Sequence, residues 1–187
     1  MRSRIVLVHG LAGSASWWRP LLPFLREFDV RYVDPRDSLA VDEEDILVGH
    51  SLGGLRAAQY AESLRVNRLV LVAPVGLPRI QPLGLVGATT PRHYARVWID
   101  ALRWGPLGLL RGGLEAARAH VDPAAIMAPT LIVWGEGDRL VPVRLAHAWH
   151  EAIPGSRLEI IPGGRHVPMF ERPSAFAQVL LDFLRDG

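Results

Sequence analysis

Ile46-Leu47-Val48-Gly49-His50-Ser51-Leu52-Gly53-Gly54 decides how the rest of the chain is read. Three apolar residues lead in, and the helix-forming run Leu55-Arg56-Ala57-Ala58-Gln59-Tyr60-Ala61-Glu62 leads out. Between them Gly49, Ser51 and Gly53 fall in a Gly-x-Ser-x-Gly spacing. A strand, a sharp turn with a central Ser and a helix present the hydroxyl at the tip of the turn. Such a turn predicts a strained backbone at Ser51, and glycine suits the two flanking positions because side chains there would crowd it. The helix then starts beneath Ser51, and its unpaired N–H groups favour negative charge developing there. The spacing alone is weak, because 18 Gly residues make it a common accident. The strand before it and the helix after it give it meaning.

Outward from this stretch, apolar runs alternate with helical patterns. Arg4-Ile5-Val6-Leu7-Val8, ending at His9-Gly10, reads as a strand buried on both faces. Residues 17–28 are expected to be a helix capped by Ser16, with Pro23 blurring its start. Val30-Arg31-Tyr32-Val33 is a second strand. Residues 34–45 hold little apolar periodicity and read as a loop with at most one helical turn, at the minimum length for a parallel crossover. Residues 46–48 and 68–73 are the third and fourth strands. Thr130-Leu131-Ile132-Val133-Trp134 is the fifth, and Arg157-Leu158-Glu159-Ile160-Ile161 the sixth. Helices are expected over residues 52–64, over 143–153 after Pro142, and from Pro173, where Phe176, Val179, Leu180, Phe183 and Leu184 share one face. The fold class is α/β: a doubly wound, mostly parallel six-stranded sheet with helices on both faces. Sites in such sheets form at the carboxyl ends of the strands, where His9, Ser51, Asp138 and His166 all fall.

A chain of 187 residues suits one domain with a small lid. Residues 1–75 and 129–187 are read as the core. Residues 76–128, with Gly and Pro clusters and helical patches near 94–104 and 109–120, are read as a small helical lid insertion. Its apolar Leu83, Leu85, Val86, Trp98 and Trp104 are expected to be exposed. The net charge is +2, and the 21 basic residues are all Arg and form no cluster, so no nucleic-acid surface is read. With no Cys, disulfides, thiolate metal sites and a cysteine nucleophile are excluded. No apolar run is long enough to span a membrane, and the basic start lacks an apolar signal region, so no membrane partner and a cytoplasmic location are expected. No metal-ligand spacing, phosphate loop or dinucleotide fingerprint is present, so no metal and no cofactor are expected.

Four motifs together resemble the α/β-hydrolase superfamily. They are His9-Gly10 after the first long strand, Gly49-His50-Ser51-Leu52-Gly53-Gly54, Trp134-Gly135-Glu136-Gly137-Asp138-Arg139-Leu140-Val141-Pro142, and Gly163-Gly164-Arg165-His166-Val167-Pro168-Met169. Their order, Ser then Asp then His, is that of the family. The resemblance implies a catalytic triad of Ser51, His166 and Asp138: nucleophile, base, and the acid that orients the base. It implies an oxyanion hole made by the backbone N–H groups of Leu11 and Leu52. Gly10, Trp17, Trp18 and His50 are candidates to line the substrate pocket; for the tryptophans a core role stands equally open. Glu136 is the nearest rival acid. His147 and His150 read as helix residues, and His93 and His120 fall in the lid.

Two departures from the family stand out. The usual N-terminal hairpin is missing, leaving residues 30–33 as an exposed edge whose protection would fall to its shortness, Arg31 and the acidic loop, or to a homodimer. The helix usual near residues 34–45 looks deleted, which opens the prospect of a wider pocket or an uncovered apolar face. The expected activity is a serine carboxylic-ester hydrolase taking small-molecule esters with short to medium acyl chains. The same triad could serve thioester or carbon–carbon bond hydrolysis or perhydrolysis, and a non-catalytic binding module on this fold is the reading from another class.

Overall fold

A computed structural model describes residues 2–76 and 94–186. Six strands, β1 (Arg4–Val8), β2 (Asp29–Val33), β3 (Ile46–His50), β4 (Arg68–Val72), β5 (Thr130–Gly135) and β6 (Arg157–Ile161), form one sheet in the order β2-β1-β3-β4-β5-β6. Every neighbouring pair is parallel, so the sheet is parallel throughout. The α-helices are α1 (Leu52–Ser63), α2 (Tyr94–Arg118), α3 (Arg144–Ala152), α4 (Pro168–Glu171) and α5 (Pro173–Arg185).

Both faces of the sheet are covered, which is why the inner strands read as unbroken apolar runs. Val6, Val8, Leu47 and Leu69 point into a layer with Leu55 and Ala58 of α1 and Trp149 of α3. Ile5, Leu7, Ile46 and Val48 point the other way, onto Trp18, Leu21 and the Phe176 and Leu180 face of α5. Full burial of such side chains is worth roughly 1.5–3 kcal/mol each, enough to dock α5 along the sheet.

Residues 17–28 do not form the expected α-helix. Two 3₁₀ helices stand there instead, Ala15–Trp17, which ends where the expected α-helix would begin, and Arg19–Phe24. Pro20 and Pro23 lack the N–H that an α-helical ladder needs, and Trp18, Leu21 and Leu25 fix the segment through their buried side chains instead. Ser16 caps nothing; Ser14 precedes the first turn in extended backbone.

Residues 34–45 form the expected loop, and the apolar face of the sheet is not left open. Leu39 and Val41 pack on the core layer where a helix would lie. Tyr60 Oη donates to Val41 O at 2.6 Å. Arg4 grips Asp45 through Nε–Oδ1 at 2.8 Å and Nη2–Oδ2 at 2.7 Å, and also meets Asp42. Arg31 Nη1 donates to Ala40 O at 3.0 Å, tying the edge strand β2 to the same loop.

Helix α2 bends at Gly105 (φ 67°, ψ 166°), after which Pro106 opens a second helical stretch. Trp98 is exposed as expected, but Trp104 is buried, with its indole donating to Gly13 O at 3.0 Å. The expectations for Leu83, Leu85 and Val86 lie outside the described residues. No helix among the described residues is long and apolar enough to cross a membrane.

Candidate active site

Ser51 follows β3 directly and holds φ 54°, ψ −114°, a left-handed conformation costly for a residue with a side chain. The flanking glycines are required by close approach. A Cβ on Gly49 would meet Gly53 O at 2.3 Å, and one on Gly53 would meet His9 O and Val8 O at 2.5 Å. Ser51 N donates to Val72 O at 2.9 Å, and Ser51 O accepts from Leu55 N at 3.0 Å, so the strained turn is fixed from both sides. Ala12 and Ala73 are the other non-glycine residues with positive φ among those described. Both lie at strand ends beside this turn, and strain gathered in one place is typical of functional sites.

The turn after β1 packs against Ser51: a Cβ on Gly10 would stand 2.9 Å from Ser51 Cβ. Gly10 O accepts from Gly13 N at 3.0 Å and from His9 Nδ1 at 3.0 Å. The next peptide is planar and trans, so a carbonyl held from one side turns the Leu11 N–H to the other. Leu52 is the first residue of α1, where N–H groups have no helical partner. No described backbone carbonyl accepts the N–H of Leu11 or of Leu52. Helix α2 lies above both residues, since a Cβ on Gly112 would meet Leu11 Cδ1 at 2.5 Å and Leu52 Cδ2 at 3.4 Å.

The loops after β5 and β6 are built as one piece. Glu136 N donates to Ile161 O at 3.1 Å and Gly137 N to Gly164 O at 2.8 Å. Glu136, the rival acid, accepts Gly163 N at 3.0 Å and so shapes the loop instead of meeting the histidine. Asp138 Oδ1 accepts the N–H groups of Leu140 at 2.9 Å and Val141 at 3.0 Å. Its Oδ2 accepts from His166 Nδ1 at 2.8 Å, and the Asp138 side chain is 0% exposed. With Nδ1 as donor, Nε2 is the basic nitrogen of His166.

His50 joins the two halves. Its Nε2 donates to His166 O at 2.8 Å, and the two rings lie 4.8 Å apart between centroids. It is therefore a positioning residue buried behind Ser51, not a pocket residue. Trp17 stacks on His50 at 6.3 Å. Trp18 is fully buried in the same core layer as Trp17, at 6.5 Å from the Phe176 ring, and is a core residue.

Sequence reading missed Asp100. It is buried, and it accepts Trp17 Nε1 at 2.6 Å and Ser14 Oγ at 3.1 Å. With Trp104 one turn later, it docks α2 on the turn after β1. A lone acid four residues before a Trp on a mostly apolar helix was the available signal. Among the described residues no cluster of three or more His, Asp or Glu side chains is placed to hold a metal ion.

Burial holds the His50 imidazole well below the usual histidine range, and the neighbouring His166 adds to the effect. Burial also lowers His9, against the opposing pull of its Gly10 hydrogen bond and of Asp34. Both rings are neutral in the fold, while an unfolded histidine gains a proton near pH 6.5. Below that pH the unfolded chain binds more protons, so stability is present above about pH 6.5 and falls as pH drops, by at most about 1.4 kcal/mol per pH unit per ring. Urea midpoints at pH 7.5 and 5.5 check this. His50→Gln, whose amide can still donate to His166 O, is expected to reduce the drop; an unchanged drop would remove His50 from the account.

A model described as the Alpha/beta hydrolase family matches residues 22–179. A Mycobacterium tuberculosis protein without assigned function is 30% identical over 203 residues, covering 80% of this chain; the chain spans only 59% of that relative's length. A pimeloyl-[acyl-carrier protein] methyl ester esterase of Neisseria meningitidis is 26% identical, covering 88% of this chain and 78% of that protein. Among solved structures, the enol-lactonase from Burkholderia xenovorans superposes with a TM-score of 0.81 at 19% identity, over 98% of this chain and 92% of the other. At that identity the likeness speaks for the fold alone.

Proposed function

Because the chain belongs to the alpha/beta hydrolase family, we propose that it is a serine hydrolase of carboxylic esters with short to medium acyl chains. The observation that carries the reading is the fully buried Asp138 holding His166 Nδ1 at 2.8 Å beside the strained Ser51 turn. A free hydroxyl is a poor nucleophile and needs such an oriented base. Ser51 Oγ attacks the ester carbonyl as its proton passes to His166 Nε2. The imidazolium is stabilised by Asp138, which keeps its charge. The Leu11 and Leu52 N–H groups donate hydrogen bonds to the developing oxyanion. His166 then returns the proton to the departing alcohol oxygen, leaving Ser51 acylated. Water, deprotonated by His166, cleaves the acyl-enzyme by the same steps in reverse order of partners. Helix α2, seated above Leu11 and Leu52, acts as the lid that limits acyl length. The relative named as a methyl ester esterase supports an ester substrate.

The test is labelling with a fluorophosphonate probe at pH 8, mapped by peptide mass spectrometry. The expected result is one adduct, on Ser51, absent in His166→Ala. A folded protein that takes no label, or labels equally without His166, would overturn the reading. A series of p-nitrophenyl esters from acetate to palmitate then checks the acyl range, with rates expected to fall toward the longer chains because helix α2 is seated above Leu11 and Leu52.

A further inference from the structure

Three carboxylates are buried among the described residues: Asp45, Asp100 and Asp138. Asp45 is held by Arg4, and Asp138 meets His166. Asp100 has no part in the ester chemistry above. Its side chain is 2% exposed, whereas that of its cationic partner, Arg103, is 69% exposed and stands 3.3 Å away. Burying a carboxylate is costly unless hydrogen bonds replace its water. The short bond that does so comes from Trp17 Nε1 at 2.6 Å, joined by Ser14 Oγ at 3.1 Å.

Seating α2 does not need that charge. Trp104 Nε1 already donates to Gly13 O, Gly112 rests on Leu11 and Leu52, and Arg56 pairs with Glu115 at 2.6 Å. What Asp100 adds is control of the Trp17 indole. A charge-assisted bond at the ring N–H fixes the direction of the ring as well as its place. That ring packs against the groups that hold the base. It stacks on His50 at 6.3 Å, with 26° between the planes, and lies 6.2 Å from the Phe170 ring. Both separations are in the range where offset or tilted rings attract. His50 Nε2 donates to His166 O at 2.8 Å, and Phe170 belongs to α4, the turn that follows His166. Trp17 thus bears on the His166 segment through two separate contacts.

We propose that Asp100 is a positioning residue for His166, acting through Trp17, so that the base is in register only while the first half of α2 is seated. That half carries Asp100 and Trp104 and ends at the Gly105 bend. The effect on rate rests on the hydrolase reading; the effect on the His166 ring does not.

Steady-state hydrolysis of p-nitrophenyl acetate and long-range imidazole 1H–15N NMR correlations, both at pH 8, test the proposal. The correlations show which ring nitrogen of His166 carries the proton, and His166→Gln identifies the signals. The wild type is expected to carry it on Nδ1, facing Asp138. In Asp100→Leu, kcat is expected to fall about 10²-fold, the cost of a misplacement on the order of 1 Å. KM is expected to stay within about threefold, and the proton to spread over both nitrogens. Asp100→Asn, whose carbonyl can still accept from Trp17 Nε1, is expected to recover at least about tenfold of that loss. Trp17→Phe, which keeps a ring but no donor, is expected to lose as much as Asp100→Leu, and the double variant no more than either, since both act through one bond. Should Asp100→Leu fail to fold, Trp17→Phe gives the same comparison. An unchanged kcat, a raised KM at unchanged kcat, losses that multiply in the double variant, or an Nδ1–H ring that survives Asp100→Leu would each overturn the proposal. The NMR needs no turnover. A ring that responds to Asp100 in a protein that cleaves no ester sinks the hydrolase reading alone, and an unmoved ring in a working esterase sinks this proposal alone.

Discussion

Asp138→Asn is expected to lower kcat for ester hydrolysis about 10⁴-fold while the protein stays folded. The asparagine carbonyl can take over the two backbone bonds now made by Oδ1, from Leu140 N and Val141 N. Its amide nitrogen then faces His166 Nδ1, where a donor now meets an acceptor. A donor there forces the proton of the neutral imidazole onto Nε2, the atom that must take the Ser51 proton. Geometry survives and the base is lost. Asp138→Ala, by contrast, also strands two buried N–H groups at about 1–3 kcal/mol each. Steady-state kinetics and thermal melting, run on both variants, separate the effects. A loss under about tenfold for Asp138→Asn would show that Asp138 does not set the tautomer of a working base.

Gly135→Ala is expected to cost about 3 kcal/mol and most of the activity, the upper end for forced overpacking. A Cβ there would stand 2.0 Å from Arg165 O and 2.6 Å from Gly164 C. Backbone cannot swing aside as a side chain can. The two loops would have to part, and Asp138 and His166 ride one on each. Gly113→Ala is the control: nothing lies within 4 Å of its added Cβ, and it sits in helix. That change is expected to be neutral or to stabilise by up to about 1 kcal/mol. Urea midpoints and activity measure both. Equal midpoints for the two variants would refute the close approach of the loops.

The strands and the loops at their ends were legible because each is local. An unbroken apolar run records two-sided burial, and Gly49, Gly53, Gly135 and Gly164 record backbone contacts at fixed spacing from Ser51, Asp138 and His166. What failed were features decided from afar. Trp17 and Trp18 are neighbours in sequence and share one core layer, yet Trp17 stacks on His50 and Trp18 meets Phe176; nothing local separates them. Asp100 and Trp104 meet Trp17 and Gly13 across 83 and 91 residues, a distance no periodicity spans. The 3₁₀ segment was a local error, since Pro20 and Pro23 already forbade an α-helical ladder.

The strand order has a temporal meaning during synthesis on the ribosome. β3 docks on a β1 already made, and β4, β5 and β6 each add to the outer edge of the strand before them. The nascent chain can thus grow its sheet outward without rearranging it, and the Ser51 turn is framed early. His166 comes 116 residues after His50, its backbone partner, which at about 5–20 residues per second is a delay of roughly 6–23 s. On the proposed hydrolase reading, the nucleophile would stand through that interval without its base, and a nascent chain halted anywhere before β6 would be chemically silent.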